Sequence, residues 1–128
     1  AFKTACSLNP QNSLYRHNLG LALFEQKKYG EAALEFKKAV RLSPYNADIH
    51  FNFAQVLEKA NEFKEAANSY ENFLKFCPDY ENKQEIEYKI EYLREQAKTQ
   101  ENKEQYQSNF ESRKDTNFLK NLRNLFKQ

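Results

Sequence analysis

The sequence predicts an all-α protein built from stacked pairs of antiparallel helices, with a long helical extension at its C-terminus. Only two glycines and three prolines occur among 128 residues, which is too few for the many turns of a sheet protein. Alanine, leucine, glutamate, lysine and glutamine, which favour helices, are abundant. Small, aromatic and apolar residues also recur at a spacing of 34 residues, and such a period indicates a repeated helical unit.

The recurrence is clearest between residues 19–44 and the segment that follows them. A shift of one period aligns Leu19 with Phe53, Gly20 with Ala54, Leu23 with Leu57, Tyr29 with Phe63, Ala32 with Ala66, Phe36 with Tyr70 and Pro44 with Pro78. At these residues the chain resembles the tetratricopeptide repeat family, whose unit is a 34-residue helix-turn-helix with small residues at the crossing and a closing proline. The resemblance covers about residues 1–78.

Gly20 lies in the middle of a predicted helix, where glycine costs about 1 kcal/mol relative to alanine. Two antiparallel helices approach most closely where the crossing point carries almost no side chain. We therefore expect Gly20 and Ala54 to lie on the first helix of each pair, opposite Ala32 and Ala66 on the second.

Turn and capping residues define the predicted boundaries. The prediction assigns residues 1–10 to the second helix of a truncated repeat, 11–44 and 45–78 to two complete repeats, 79–98 to a capping helix, and 99–128 to a polar linker and a basic amphipathic helix. Within the repeats, the four helices are expected to end near Gln26, Leu42, Ala60 and Phe76. Asn12 or Ser13, Asn46, and Asp79 are the predicted N-caps.

Lys27 and Asn61 occupy equivalent turns of the two repeats. Asparagine tolerates a left-handed backbone, whereas lysine does not. We therefore expect Lys27 to strain or loosen its turn without changing the fold.

The predicted capping helix carries Ile86, Ile90, Leu93 and Ala97 on one face. Phe73 stands one period after the small Ala39, so a bulky ring is expected to push this helix away from the regular repeat geometry. Residues 94–115 are strongly polar, and the sequence leaves open whether they form a protruding helix or are partly disordered.

The last residues combine an apolar stripe with basic charge. The stripe consists of Phe118, Leu119, Leu122, Leu125 and Phe126, and residues 113–128 hold five basic side chains against one acidic one. Such a helix can lie on an anionic membrane surface, fill a groove of its own chain or of a second copy, or simply complete the core. We favour docking on protein over the membrane, which leaves a homo-oligomer possible.

Composition argues against several functions. The net charge is +2 and the basic excess is confined to the C-terminal tail, so no nucleic-acid partner is expected. Cys6 and Cys77 are too few for a disulfide framework and lack metal-ligand spacing, and no apolar run is long enough for a membrane span. The chain contains no methionine, so Ala1 is not expected to be a native start. The compartment is left open between cytoplasm and bacterial periplasm or envelope.

Catalytic chemistry is not predicted either. His17 and His50 could face a groove together, but neither has an evident carboxylate or cysteine partner in the sequence. Phosphate-loop, zinc and calcium motifs are missing from the sequence. We therefore expect no enzyme activity, no metal and no cofactor.

The resemblance implies a scaffold or adaptor that binds a peptide or helix of a partner protein in a concave groove lined by the first helices. Carried over to this sequence, the lining comprises Leu14, His17, Asn18, Leu21 and Phe24, then Asp48, Phe51, Asn52, Gln55 and Glu58, and Asn82, Glu85, Lys89 and Tyr92 from the capping helix. Leu21 and Phe24 could instead merely cover a missing upstream repeat, and Asn18 and Asn52 could support the fold. The alternative function is an assembly subunit of a bacterial envelope complex, recruited to the membrane through the C-terminal helix.

One ligand class is argued against by the same comparison. Members that grip the acidic C-termini of heat-shock chaperones carry lysine, asparagine and arginine at five groove positions. The corresponding residues are His17, Leu21, Asn52, Asn82 and Ile86, of which only Asn52 matches. A carboxylate clamp is therefore not expected.

Overall fold

The computed structural model describes residues 10–114 and 123–125. Five helices fill the first range: α1 (Pro10–Glu25), α2 (Tyr29–Leu42), α3 (Ala47–Lys59), α4 (Phe63–Phe76) and α5 (Lys83–Lys114). Residues 123–125 are helical as well, and neither range contains a strand. The all-α prediction is confirmed.

The chain divides into two compact units, Ala1–Glu95 and Gln96–Gln128. In the first unit the backbones of α1 and α2 run close together, as do those of α3 and α4, and α2 also approaches α3. This is the predicted order of two helix-turn-helix pairs. The observed helix ends Glu25, Leu42, Lys59 and Phe76 lie within one residue of the predicted ones.

Two of the predicted N-caps are wrong. Helix α1 begins at Pro10, where proline fits because the first turn has no partner for its missing N–H. Ser13 is 2% exposed, and its Oγ donates to the Ala39 carbonyl at 3.4 Å instead of capping. Asp79 also fails as a cap, since α5 begins four residues later at Lys83.

The predicted cap of α3 is confirmed. The Asn46 Oδ1 accepts hydrogen bonds from the backbone N–H groups of Asp48 at 3.0 Å and Ile49 at 3.4 Å. These bonds satisfy two donors that the first turn of a helix otherwise leaves unpaired.

The two inter-helix turns have the same left-handed residue. Lys27 and Asn61 both adopt a φ of 62°. Lysine therefore occupies a conformation that disfavours a side chain, and the fold is retained.

Buried side chains of the described residues form two clusters. The first consists of Ala32, Phe36, Ala39, Ile49 and Val56. The second consists of Ala54, Leu57, Ala66, Ala67, Tyr70, Phe73, Leu74, Ile86, Ile90 and Leu93. Phe53 and Ala33 pack against both clusters, so the two repeats share one continuous interior.

Gly20 lies against the ring of Phe36, a neighbour that the prediction did not name. A Cβ on Gly20 would lie 2.7 Å from Cε2 and 2.8 Å from Cδ2 of Phe36. The Phe36 ring is fully buried, with the ring of His17 edge-on at 5.3 Å and that of Phe53 stacked at 6.3 Å. The Phe36 ring of the second helix is therefore the first obstacle that a side chain at this point would meet.

Helix α5 deviates from the repeat geometry as expected. Its backbone scarcely approaches α4, whereas α2 and α3 run close together. Phe73 packs against the rings of Phe51 and Tyr80, with both centroids 5.0 Å away. The four residues of its predicted apolar face, Ile86, Ile90, Leu93 and Ala97, are buried.

The polar stretch after residue 94 is helical up to Lys114, so of the two alternatives the helix is observed. Side chains 101–111 are all exposed. Within residues 10–114 and 123–125, none of the helices combines the length and the apolar character that a membrane crossing requires.

Part of the prediction falls outside the described residues. This applies to residues 1–9 of the truncated repeat and to Phe118, Leu119, Leu122 and Phe126 of the C-terminal stripe. Leu125 is described. It lies in a helical segment, and its side chain is 72% exposed.

Candidate functional site

The predicted lining residues of α1 and α3 are brought side by side by a polar contact. The Asn52 Nδ2 donates to Nε2 of His17 at 2.7 Å. This bond joins the first helices of the two repeats directly. We define the groove surface as the predicted lining residues of these helices and Lys89 of α5.

The groove surface is a mixture of open and partly covered side chains. Leu14, Asn18, Asp48 and Gln55 are exposed, and His17, Leu21, Phe24, Phe51, Asn52, Glu58 and Lys89 are half-buried. Leu21 and Phe24 pack against the first core cluster, and Phe24 also meets Tyr29 with ring centroids 5.5 Å apart. These two residues therefore serve the core while part of each remains accessible.

Burial of His17 disfavours its charged form. Burial lowers the pKa of His17, and the nearby Asp48 carboxylate opposes this shift only in part. A neutral imidazole leaves Nε2 free to accept from Asn52, which matches the observed bond.

Glu58, Tyr70 and Lys89 form a charged network that links α3, α4 and α5. The Lys89 Nζ lies 3.0 Å from a Glu58 carboxylate oxygen and 5.2 Å from the centre of the Tyr70 ring. The Tyr70 hydroxyl donates to the same carboxylate, and burial together with Glu58 raises the pKa of Tyr70. The charges of Glu58 and Lys89 therefore compensate each other.

His50 does not share a surface with His17, which corrects the idea that both could face a groove. It is 4% exposed, its Nε2 donates to the Pro44 carbonyl at 2.7 Å, and its ring stacks on Phe76 at 5.4 Å. The two histidines differ because His50 aligns with Arg16, not with His17, when the sequence is shifted by one period.

Two pockets lie on the groove surface at equivalent places in successive repeats. The first pocket has a volume of about 220 Å³ and is lined by Ser13, Leu14, His17, Ser43, Asn46 and Ile49. The second has a volume of about 260 Å³ and is lined by Asp48, Phe51, Phe73, Cys77 and Tyr80. Asp48, Phe51, Cys77 and Tyr80 stand one period after Leu14, His17, Ser43 and Asn46.

Sequence reasoning missed Phe73, Cys77 and Tyr80 as site residues. The signal that identifies them is the same shift of one period, which replaces Ala39 by Phe73 and Asn46 by Tyr80. The second pocket therefore has the aromatic rings of Phe73 and Tyr80 where the first repeat has Ala39 and Asn46, and this difference indicates a change of chemistry between the repeats.

Comparison with family models decides which fold family this is. A model described as TPR repeat matches residues 20–61, and a model described as Tetratricopeptide repeat matches residues 47–80. The chain belongs to the tetratricopeptide repeat family over residues 20–80. No curated protein is significantly similar to the chain.

Tetratricopeptide repeats act generally in protein–protein interaction, and this chain is such an interaction module. The family consists typically of scaffolds without enzyme activity. Among the described residues, the tetratricopeptide repeats and α5 contain no cluster of three or more histidine, cysteine or acidic side chains that could hold a metal ion.

Proposed function

We propose that this tetratricopeptide repeat protein binds a peptide segment of a partner protein across the groove surface of α1 and α3. The observation that carries the proposal is the pair of pockets that recur at equivalent positions of the two repeats. An extended or helical segment lying across both repeats would place one side chain in each pocket, which is the usual way in which such surfaces gain specificity.

The exposed polar side chains between the pockets support the same proposal. Asn18 and Gln55 are exposed, and a carboxamide can both donate to and accept from a peptide backbone. Asn52 is bonded to His17 instead, so we assign it to the contact between α1 and α3 rather than to the partner.

The test is selection of binders for the full chain from a random peptide library, followed by affinity measurements with surface variants. Asn18→Arg and Gln55→Arg alter exposed residues of the groove surface, and Asn68→Arg alters an exposed residue of α4 as the matched control. We expect the groove variants to weaken binding at least about tenfold, since a blocked contact of about 1.4 kcal/mol has that effect. Equal losses in all three variants would contradict the proposal.

A membrane-recruited assembly subunit is the second candidate, and it rests on the basic C-terminal stripe. Leu125, the member of this stripe that the structure describes, is exposed, and so is Arg123 two positions earlier in the sequence, as expected for a segment that meets lipid or another protein. Co-sedimentation with anionic vesicles, with and without residues 113–128, tests this candidate. Sedimentation of the protein that does not depend on the vesicles would exclude this candidate. A concentration-dependent mass by light scattering would support a homo-oligomer instead.

A further inference from the structure

The second pocket combines aromatic rings with a carboxylate. The rings of Phe51 and Phe73 are inclined at 57°, and those of Phe73 and Tyr80 at 77°, with centroids 5.0 Å apart in both pairs. The three rings therefore border the pocket from different directions instead of stacking into a flat wall. Cys77 and Asp48 complete the lining.

The charge of Asp48 is not neutralised by a neighbour. Asp48 is exposed and makes no salt bridge within the part of the chain that the structure describes. Asp48 attracts the charged form of His17, but burial lowers the pKa of that imidazole. Glu58, the other acidic residue of the α3 lining, is already paired with Lys89.

This combination suits one kind of side chain. A cation gains from the faces of aromatic rings and from a carboxylate together, while the stem of a lysine or arginine is apolar and packs against rings. An acidic side chain would be repelled by Asp48. A purely apolar one would remove water from the carboxylate without giving it a partner.

The first pocket provides the internal contrast. At the positions of Asp48, Phe51 and Tyr80 it has Leu14, His17 and Asn46. Neither an acidic side chain nor the three rings are present there, so the preference for a cation belongs to the second repeat alone.

We propose that the second pocket is a subsite for a lysine or arginine side chain of the bound peptide, with the stem against Phe51, Phe73 and Tyr80 and the charge at Asp48. This subsite rests on the proposed function, because it requires a peptide on the groove surface. It adds to that function a basic residue in the partner at the register of the second repeat.

The experiment uses the full chain and peptides selected from a random library. Some selected peptides will bind the unaltered chain but not Gln55→Arg. We expect these peptides to share a lysine or arginine at one position. Replacement of that residue by norleucine, which keeps an apolar stem and removes the charge, should weaken binding to the unaltered chain about tenfold.

A double-mutant cycle locates the contact. In Asp48→Asn the norleucine replacement should cost less than about twofold, because the charge has lost its partner. Tyr80→Leu, which keeps the pocket apolar, should also reduce the preference for the cation. Glu31→Gln removes an exposed carboxylate of α2 and should leave the tenfold effect unchanged.

The outcomes separate the subsite from the proposed function. Peptides that depend on Gln55 but show no basic position, or an equal norleucine effect in Asp48→Asn and the unaltered chain, would overturn the subsite and leave the function standing. A library without any peptide sensitive to Gln55→Arg would overturn both.

Discussion

The two repeats have the same backbone plan and different interiors. In the first, Gly20 lies under the fully buried ring of Phe36. In the second, the equivalent residues are Ala54 and Tyr70, and the added hydroxyl group donates to Glu58. The position of Glu58 is occupied in the first repeat by Phe24. The tyrosine and its glutamate acceptor in the second repeat therefore replace two phenylalanines at the aligned positions of the first.

The size of the residues at the helix crossing and the chemistry of the residues that line the pockets are therefore separate properties. Small residues opposite one aromatic ring hold each helix pair together, whatever polar group the ring carries. The pocket-lining residues are free to vary, so one pocket has Leu14 and His17 where the other has Asp48 and Phe51. Repeats of one shape can in this way present different subsites to one ligand.

Exchange of the hydroxyl group between the repeats should give the largest effect on stability. Phe36→Tyr adds a hydroxyl group to a fully buried ring, and Phe24 stands where the second repeat has the acceptor Glu58, so we expect a loss of about 1 to 3 kcal/mol in the free energy of unfolding. Tyr70→Phe removes the bond to Glu58, which keeps Lys89, and should cost about 1 kcal/mol. Urea denaturation measures both. A neutral Phe36→Tyr would show that the first interior is not closed.

The two glycines give the next effect, with opposite signs. Gly20→Ala forces a methyl group to within 2.7 Å of the Phe36 ring, and we expect a net loss of about 1 to 2 kcal/mol after the helix propensity of alanine is counted. Gly30→Ala is the matched control, since a Cβ there meets nothing within 4 Å. It should be neutral or stabilising by up to about 1 kcal/mol. Thermal and urea unfolding should show Gly20→Ala to be less stable than Gly30→Ala. Equal stabilities of the two variants would contradict the packing around Gly20.

The turns should respond more weakly. Lys27→Gly removes a side chain from a left-handed residue with φ 62°, and we expect a gain of about 0.5 to 1 kcal/mol in stability. Asn61→Gly should gain less, because asparagine tolerates this backbone. Lys28→Gly, at φ −89°, is the neighbouring control and should give no gain. A stabilised Lys28→Gly would show that the left-handed backbone is not the cause.

The smallest effect concerns pH and belongs to the first repeat alone. Burial lowers the pKa of His17 below its ordinary value of 6.5, against the attraction of Asp48. The unfolded chain therefore takes up this proton more readily, so the stabilising contribution is complete above pH 6.5 and is lost as the pH falls through 6.5 towards the folded pKa. Protonation also removes the acceptor for Asn52.

His17→Gln is the variant that checks this dependence. It should reduce the fall in stability between about pH 7.5 and 5.5, when both chains are unfolded in urea at each pH. The same pH slope in both chains would contradict the assignment.

The repeat architecture could be predicted because its signals are periodic in sequence. Pro44 and Pro78 follow the ends of the second helices at the same interval, and Lys27 and Asn61 occupy equivalent turns. The failures were local signals that tertiary contacts override. Ser13 resembles an N-cap, yet its hydroxyl is buried against the Ala39 carbonyl, and a single sequence does not reveal that Pro10 starts the helix.

The site was predicted as a surface and not as pockets. The shift of one period places Leu14 and His17 together with Asp48 and Phe51 on the first helices. It does not show that Phe73 and Tyr80 close a cavity with them, because that depends on how the loop before α5 returns to α3. The bond between His17 and Asn52 joins residues 35 positions apart, so no helical periodicity could reveal it.

Amide chemical-shift mapping of the full ¹⁵N-labelled chain, with a peptide selected from the random library, shows which helices the peptide contacts. We expect the largest shifts on α1 and α3, at residues such as Leu21 and Gln55, and at Asp48 and Tyr80 of the second pocket. Shifts confined to the outer residues of α2 and α4, such as Leu34 and Asn68, would contradict this expectation.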